Sequence, residues 1–304
     1  MNKFIKRTLL FSAPVIISML IMEVLLRRIP NDYSYKKNYL EKHSNEIETL
    51  FLGSSHAYYA INPDYMHSKS FNVAYVSQSL DYDIEILKKY EKQMDKLKYI
   101  VIPFDSYSLY NRLQTAVESW RIKNYNIYYG FNSSYNFNDN FEFLNVKLQE
   151  NIVRIRRFYC YNKSIKNYNY LGWGSTNSSR TDLDLIATGI AAAQRHAIKE
   201  RSFFNENLIV LNEIISIAQS KNAKVIFYTS PAYKTYTTQL NKEQLQKAYA
   251  TIKKISNSND NVSYFDFLTD PSFVKEDFFD ADHLNEMGAI KFSKKMDSII
   301  ISLQ

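Results

Sequence analysis

The chain has 304 residues, 45% of them apolar, a net charge of +7 and one cysteine, Cys160. That length supports one large domain or two small ones, and a lone cysteine excludes an intramolecular disulfide and any multi-cysteine metal site. Lys3, Lys6, Arg7, Arg27 and Arg28 against Glu23 put +4 of the charge into residues 1–28. The remaining +3 carries no arginine-rich tract or zinc spacing, so a nucleic-acid partner is not expected.

In chain order, the first element is an apolar run, Leu9 to Leu26, preceded by Lys3, Lys6 and Arg7. It is about as long as the shortest membrane spans, and its leading positive charges predict an amino terminus inside; with no small-x-small site after the apolar core, an uncleaved anchor is favoured over the main alternative, a cleavable signal peptide. Residues 1–28 are therefore expected to be a membrane anchor and 29–47 a polar linker. Thr49 to Leu52 reads as a strand that ends abruptly at Gly53-Ser54-Ser55-His56. A glycine there permits the sharp strand-to-helix turn that lifts a serine hydroxyl off a sheet.

Phe71 to Val76, Tyr99 to Phe104, Lys224 to Thr229 and Val262 to Phe267 are predicted strands. Leu80 to Leu97, Asn205 to Ser220, Leu240 to Ile255 and Leu284 to Leu303 have helical periodicity. Strands alternating with helices predict a parallel sheet covered on both faces, with the site at the strand C-terminal ends. Residues 106–203 interrupt the alternation and are too long for an ordinary connection. They hold two helical-looking pieces, Phe141 to Arg157 and Asp182 to Lys199, many tyrosines, and Leu171-Gly172-Trp173-Gly174. They are read as an inserted helical cap over the site, whose aromatic faces suit sugar stacking or pack a small core of their own.

Near the other end stands Asp280-Ala281-Asp282-His283. An Asp three residues before a His on a loop entering a helix can hold the imidazole and leave its other nitrogen facing a serine. The Gly53-Ser54-Ser55 turn and the Asp280-x-x-His283 stretch, in the order Ser, Asp, His, together resemble the SGNH (GDSL-type) hydrolase family. The anchored layout and the Gly-Ser-Ser-His wording resemble its bacterial cell-surface branch, which acts on acylated polysaccharides.

The resemblance implies an α/β fold, a flavodoxin-like three-layer α/β/α sandwich spanning 48–304 with the insertion at 106–203. It makes Ser55 the nucleophile, His283 the base and Asp280 its orienter, with no metal and no cofactor. The family places a Gly after the second strand and an Asn after the third as oxyanion donors. This chain has Ser77-Gln78-Ser79 and Asp105-Ser106 there, so Ser77 and Ser106 stand in as expected donors. Tyr58, Gln78, Trp173 and Tyr233 are the expected substrate contacts. His56 is read as a cap of the following helix, and Arg195-His196 as a solvated pair.

The expected activity is transfer or hydrolysis of O-acyl groups, acetyl above all, on a cell-surface polysaccharide outside the cytoplasm. The expected partners are that polysaccharide or an acyl donor, the membrane, and an acyl-donor membrane protein. The rival readings are a small-ester hydrolase of the same fold and a non-catalytic polysaccharide-binding or assembly protein.

Overall fold

A computed structural model describes residues 2–134, 136–163, 167–175, 184–198 and 202–303. In chain order the main elements are α1 (Asn2–Arg27), α2 (Asp32–His43), β1 (Thr49–Phe51), α3 (Ser55–Tyr58), β2 (Ser70–Asn72), α4 (Leu80–Tyr90) and β3 (Tyr99–Pro103). There follow α5 (Ile122–Asn124), α6 (Leu148–Tyr159), α7 (Leu185–His196), α8 (Phe204–Ser220), β4 (Lys224–Thr229), α9 (Lys234–Thr237), α10 (Lys242–Asn257), β5 (Val262–Asp266) and α11 (Glu286–Ser302). The chain divides into two compact units, Met1–Asn38 with Val117–Lys166, and Tyr39–Ala116 with Asn167–Gln304.

The larger unit is the expected α/β fold. Its five strands are all parallel, in the order β2-β1-β3-β4-β5. The chain steps from β1 outward to β2 and then crosses back to β3, so the sheet reverses its winding between β1 and β3. Crevices form at such switch points, outside the strand C-terminal ends. Strands covered on both faces are near-continuous apolar runs; every residue of β1 and β3 is buried. One face packs Phe51, Val101, Ile226 and Tyr228 against Phe292, Met296 and Ile300 of α11. The alternate residues, such as Leu50, Ile100 and Val225, are buried on the other face.

The smaller unit is built around the end of α1. Glu23 is buried; its carboxylate accepts the backbone N–H groups of Glu142 (2.9 Å) and Phe143 (3.2 Å) and pairs with Arg27 at 2.6 Å. Glu142 is buried in turn among Lys123, Tyr128 (2.8 Å) and Arg154 (3.2 Å). Lys123, Arg154 and the Tyr128 hydroxyl outweigh its burial and hold its pKa below the usual carboxylate value. One helix among the described residues, Lys3–Arg27, is long and apolar enough to cross a membrane.

Three expectations are corrected. The stretch 29–47 is not a linker throughout, because 32–43 form α2, whose Tyr33, Lys36 and Leu40 are buried at helical spacing. Burial lowers the Lys36 pKa to about 7 despite the neighbouring Asp32. The insertion is not one piece: 117–166 joins the N-terminal segment, whereas 167–175 and α7 belong with the sheet. The helix expected from Phe141 begins only at Leu148. The ends expected for the other insertion helix, 182–183 and 199, lie outside the described residues.

Candidate active site

The Gly53-Ser54-Ser55 turn is fastened before its serines are reached. Gly53 has φ of +110°, and a Cβ there would stand 2.4 Å from Cδ of Pro103 on the neighbouring strand. Its N–H donates to Asp83 Oδ1 at 2.7 Å, and the same oxygen receives Gln78 Nε2 at 2.6 Å. Burial pushes the Asp83 pKa up to about 7, against these two donors. Gly53→Ala combines a disfavoured φ with overlap on the Pro103 ring, and is expected to cost about 2 kcal/mol or more. A thermal midpoint within a degree of wild type would contradict that expectation.

Ser54 caps α3 by accepting the His56 N–H, and Ser55 opens the helix, half-buried. Ser55 N–H belongs to the first turn, where an α-helix offers no acceptor.

The opposing loop is held as firmly. Asn285 caps α11 by accepting Gly288 N–H at 3.0 Å, while its own N–H donates to Asp277 O at 2.9 Å. Between these ties Asp280 Oδ1 accepts the N–H groups of Asp282 (3.1 Å) and His283 (2.8 Å). The Asp280 carboxylate also lies 3.0 Å from His283 Nδ1, and His283 Nε2 lies 2.8 Å from Ser55 Oγ. A carboxylate only accepts, so the neutral ring keeps its proton on Nδ1 and Nε2 accepts the serine O–H. Ser55, His283 and Asp280 are thus in one hydrogen-bonded line.

A second set of charged groups lies beside this line. The His56 side chain is buried, with Nδ1 2.7 Å from Asp105 Oδ2 and Nε2 3.7 Å from Asp282 Oδ2. Burial opposes its charge, but the two carboxylates outweigh it and raise its pKa to about 10. Asp282 Oδ2 also takes Arg195 at 3.0 Å, and its Oδ1 is 3.5 Å from His283 Nδ1. Burial opposes the Asp282 charge, yet His283, His56 and His196 hold its pKa well below the usual value. Partial burial opposes the charge of His283 as well, but Asp282 and Asp280 raise its pKa above that of a free imidazole.

His196 completes the set in the neutral form, because burial holds its pKa well down. Its ring stacks on Tyr107 at 3.9 Å, and Nδ1 meets the Tyr236 hydroxyl at 2.8 Å. Ligand atoms of His56, Asp282 and His283 lie within 4.8 Å of one another. A metal ion there would have to displace the Arg195 and His56 pairings of Asp282.

His56 is therefore not the cap of α3, contrary to expectation, and of the Arg195-His196 pair only Arg195 is solvated, half exposed while it reaches Asp282. Asp105, which stands before Ser106 after β3, has both carboxylate oxygens engaged. Its Oδ1 accepts Ser230 N–H at 2.9 Å and its Oδ2 pairs with His56.

Of the expected substrate contacts, Tyr58, Gln78 and Trp173 are buried. Tyr58 donates to Asn167 O at 3.2 Å and leaves no room for a Cβ on Gly174; Trp173 Nε1 donates to Tyr59 O at 2.7 Å. These side chains pack the 167–175 segment or, for Gln78, brace the turn. Tyr233 is partly buried, edge-on to Phe278 with centroids 5.6 Å apart. Ser77 has a left-handed φ of 61° in the turn after β2, a conformation that glycine adopts without cost. Ser106 is buried, and its carbonyl accepts Gln244 Nε2 at 3.1 Å.

No curated protein matches this chain. Among solved structures it is similar to a Streptococcus pneumonia protein provisionally described as a platelet activating factor (14% identity, TM-score 0.47, covering 94% of this chain and 99% of that one). It is also similar to a Bacteroides fragilis protein provisionally described as an acylhydrolase (11%, TM-score 0.42, covering 90% and 100%). A third is a GDSL-like lipase of Bacteroides thetaiotaomicron (10%, TM-score 0.43, covering 90% and 100%). Residues 175–301 match a family described as "Protein of unknown function (DUF1574)".

Proposed function

We propose that the protein is a serine acyl-enzyme of SGNH type, with Ser55 as nucleophile, His283 as base and Asp280 as its orienter. The observation that carries this reading is the unbroken line Asp280–His283–Ser55, with contacts of 3.0 and 2.8 Å, beside the β1/β3 switch point. His283 Nε2 takes the Ser55 proton as Oγ attacks the ester carbonyl. The tetrahedral intermediate collapses, the C–O bond to the leaving alcohol breaks, and His283 returns the proton to that oxygen. Water or a sugar hydroxyl then releases the acyl group.

The oxyanion donors in this reading are the N–H groups of Ser55 and Ser77, with Ser106 as a further candidate; losing one such donor typically costs about 2.7–4 kcal/mol. Ser77 keeps a glycine-like backbone where the family has glycine, which favours its amide for that task. Compensation of Asp105 by His56 and Ser230 removes the repulsion that a bare carboxylate would exert on the oxyanion.

The finer reading is transfer or hydrolysis of O-acyl groups on a cell-surface polysaccharide, with α1 as anchor and the catalytic unit outside the cytoplasm. A cavity of about 360 Å³ lined by Leu185, Phe278, Phe279 and Met287, with Lys275, Glu276 and Asn285, adjoins the base loop. A fluorophosphonate probe applied to the full-length protein should give an adduct on Ser55 by mass spectrometry, and His283→Ala should abolish it. An unlabelled Ser55 at high probe concentration would overturn the acyl-enzyme reading.

A further inference from the structure

We propose that the smaller unit rests on the membrane surface through α6 and the segment before it, against the headgroups of an anionic phospholipid bilayer. This rests on the reading of α1 as a membrane span.

The first observation is where α1 leaves its own unit. From Lys3 to Ile21 the helix is almost wholly exposed, and only at Glu23 and Leu26 does it become buried. At about 1.5 Å per residue the exposed stretch is about 30 Å long, the thickness of a hydrocarbon core. The fastened end therefore marks the level of the interface.

The second observation is what is fastened at that level. Arg27 donates to Asn140 O at 2.8 Å, Glu23 accepts from Glu142 and Phe143, and the Tyr159 hydroxyl donates to Leu25 O at 3.0 Å. The C-terminal end of α6 and residues 140–143 thus stand where the span emerges.

The third is the character of the surface they present. Leu148 (62% exposed), Ile152 (51%) and Tyr159 (44%) recur at positions i, i+4 and i+11, one stripe of α6, with Val153 beside them and Phe137 exposed ahead. Arg156 and Arg157 stand exposed within and beside that stripe. An apolar stripe flanked by arginines is the pattern of a helix lying at a lipid surface. Tyrosine favours the headgroup level, and arginines gain from negative surface potential.

Cys160, exposed and directly after α6, is the chain's one cysteine and accepts an environment-sensitive fluorophore without other changes. The full-length protein would be labelled there and reconstituted into phosphatidylcholine vesicles with or without phosphatidylglycerol. A second sample would carry the label near the middle of the exposed stretch, at Phe11→Cys in a Cys160→Ser background. Quenching is then read with nitroxides placed in the lipid headgroup or deep in the acyl chains.

The expected result is deep quenching at position 11 and headgroup quenching at 160 that strengthens with phosphatidylglycerol. Arg156→Glu with Arg157→Glu should weaken the latter, roughly fivefold per arginine, and leave position 11 unchanged. Quenching at 11 without quenching at 160 would overturn the surface contact while α1 still spans, and would favour a protein partner for the stripe. Absence of quenching at both positions would overturn the span itself. Headgroup quenching indifferent to phosphatidylglycerol and to the charge reversals would overturn the anionic preference.

Discussion

Ser55→Ala is expected to lower acyl-ester turnover by about 10⁴-fold or more, while the thermal midpoint moves by no more than about 2 °C. The two halves of that expectation come from the same geometry. Among the described residues the Ser55 hydroxyl bonds only His283 Nε2, and His283 remains held by Asp280 when it is removed. The turn is fixed by Gly53, Asp83 and Ser54 rather than by Ser55. Loss of one part-exposed hydroxyl leaves no buried polar group stranded. Retained turnover would remove Ser55 from the chemistry, and a collapse in stability would make it a structural residue.

Asp282→Asn should produce the next largest change, and on two observables. Asp282 is buried, with His56, Arg195, His196 and His283 around its carboxylate. Withdrawing one partner from a buried charge set typically costs 3–5 kcal/mol. Arg195 is half exposed and water can compensate it, so about 3 kcal/mol is expected, a fall of several degrees in thermal midpoint.

The pH profile carries the sharper information. A base must be neutral to act, so the acid limb of kcat/KM follows the His283 pKa, which Asp282 and Asp280 raise. Removing the Asp282 charge moves that limb to lower pH. Stability shifts in the complementary sense. A raised His56 pKa contributes stability that is full below the free imidazole value of 6.5 and lost as pH rises through about 10. In the Asp282→Asn variant that alkaline loss should shrink. An acid limb that does not move would show that Asp280 alone governs the base.

The parts of this protein legible in the sequence are those carried by local signals. Buried parallel strands such as Tyr99–Pro103 are uninterrupted apolar runs, and α4 and α10 alternate apolar and charged residues at helical spacing. Gly53-Ser54-Ser55 and Asp280-x-x-His283 were legible for a similar reason, each being a short turn with one demanding geometry. Helix α2 escaped because the positions it buries include Tyr33 and Lys36 beside Leu40, so its inward face does not look apolar. The charged set around Asp282 escaped because its members stand at positions 56, 105, 195, 196 and 282. Each has an ordinary local reading, and only the fold brings them together. The spread of 106–203 over two units was hidden likewise, as the partner of 117–166 is the N-terminal segment.

The company kept by His283 has a last consequence for the reaction coordinate. With His283 in the neutral form that a base requires, the set around it holds two cations, His56 and the half-exposed Arg195, against three carboxylates, Asp105, Asp280 and Asp282. His196 contributes no charge. With the base neutral, the site is therefore short of one positive charge, and the proton leaving Ser55 supplies it when it reaches His283. The cluster is then electrically neutral at the moment when negative charge gathers on the substrate oxygen. The fold has placed the deficit on the base, so proton transfer and charge balance are the same event.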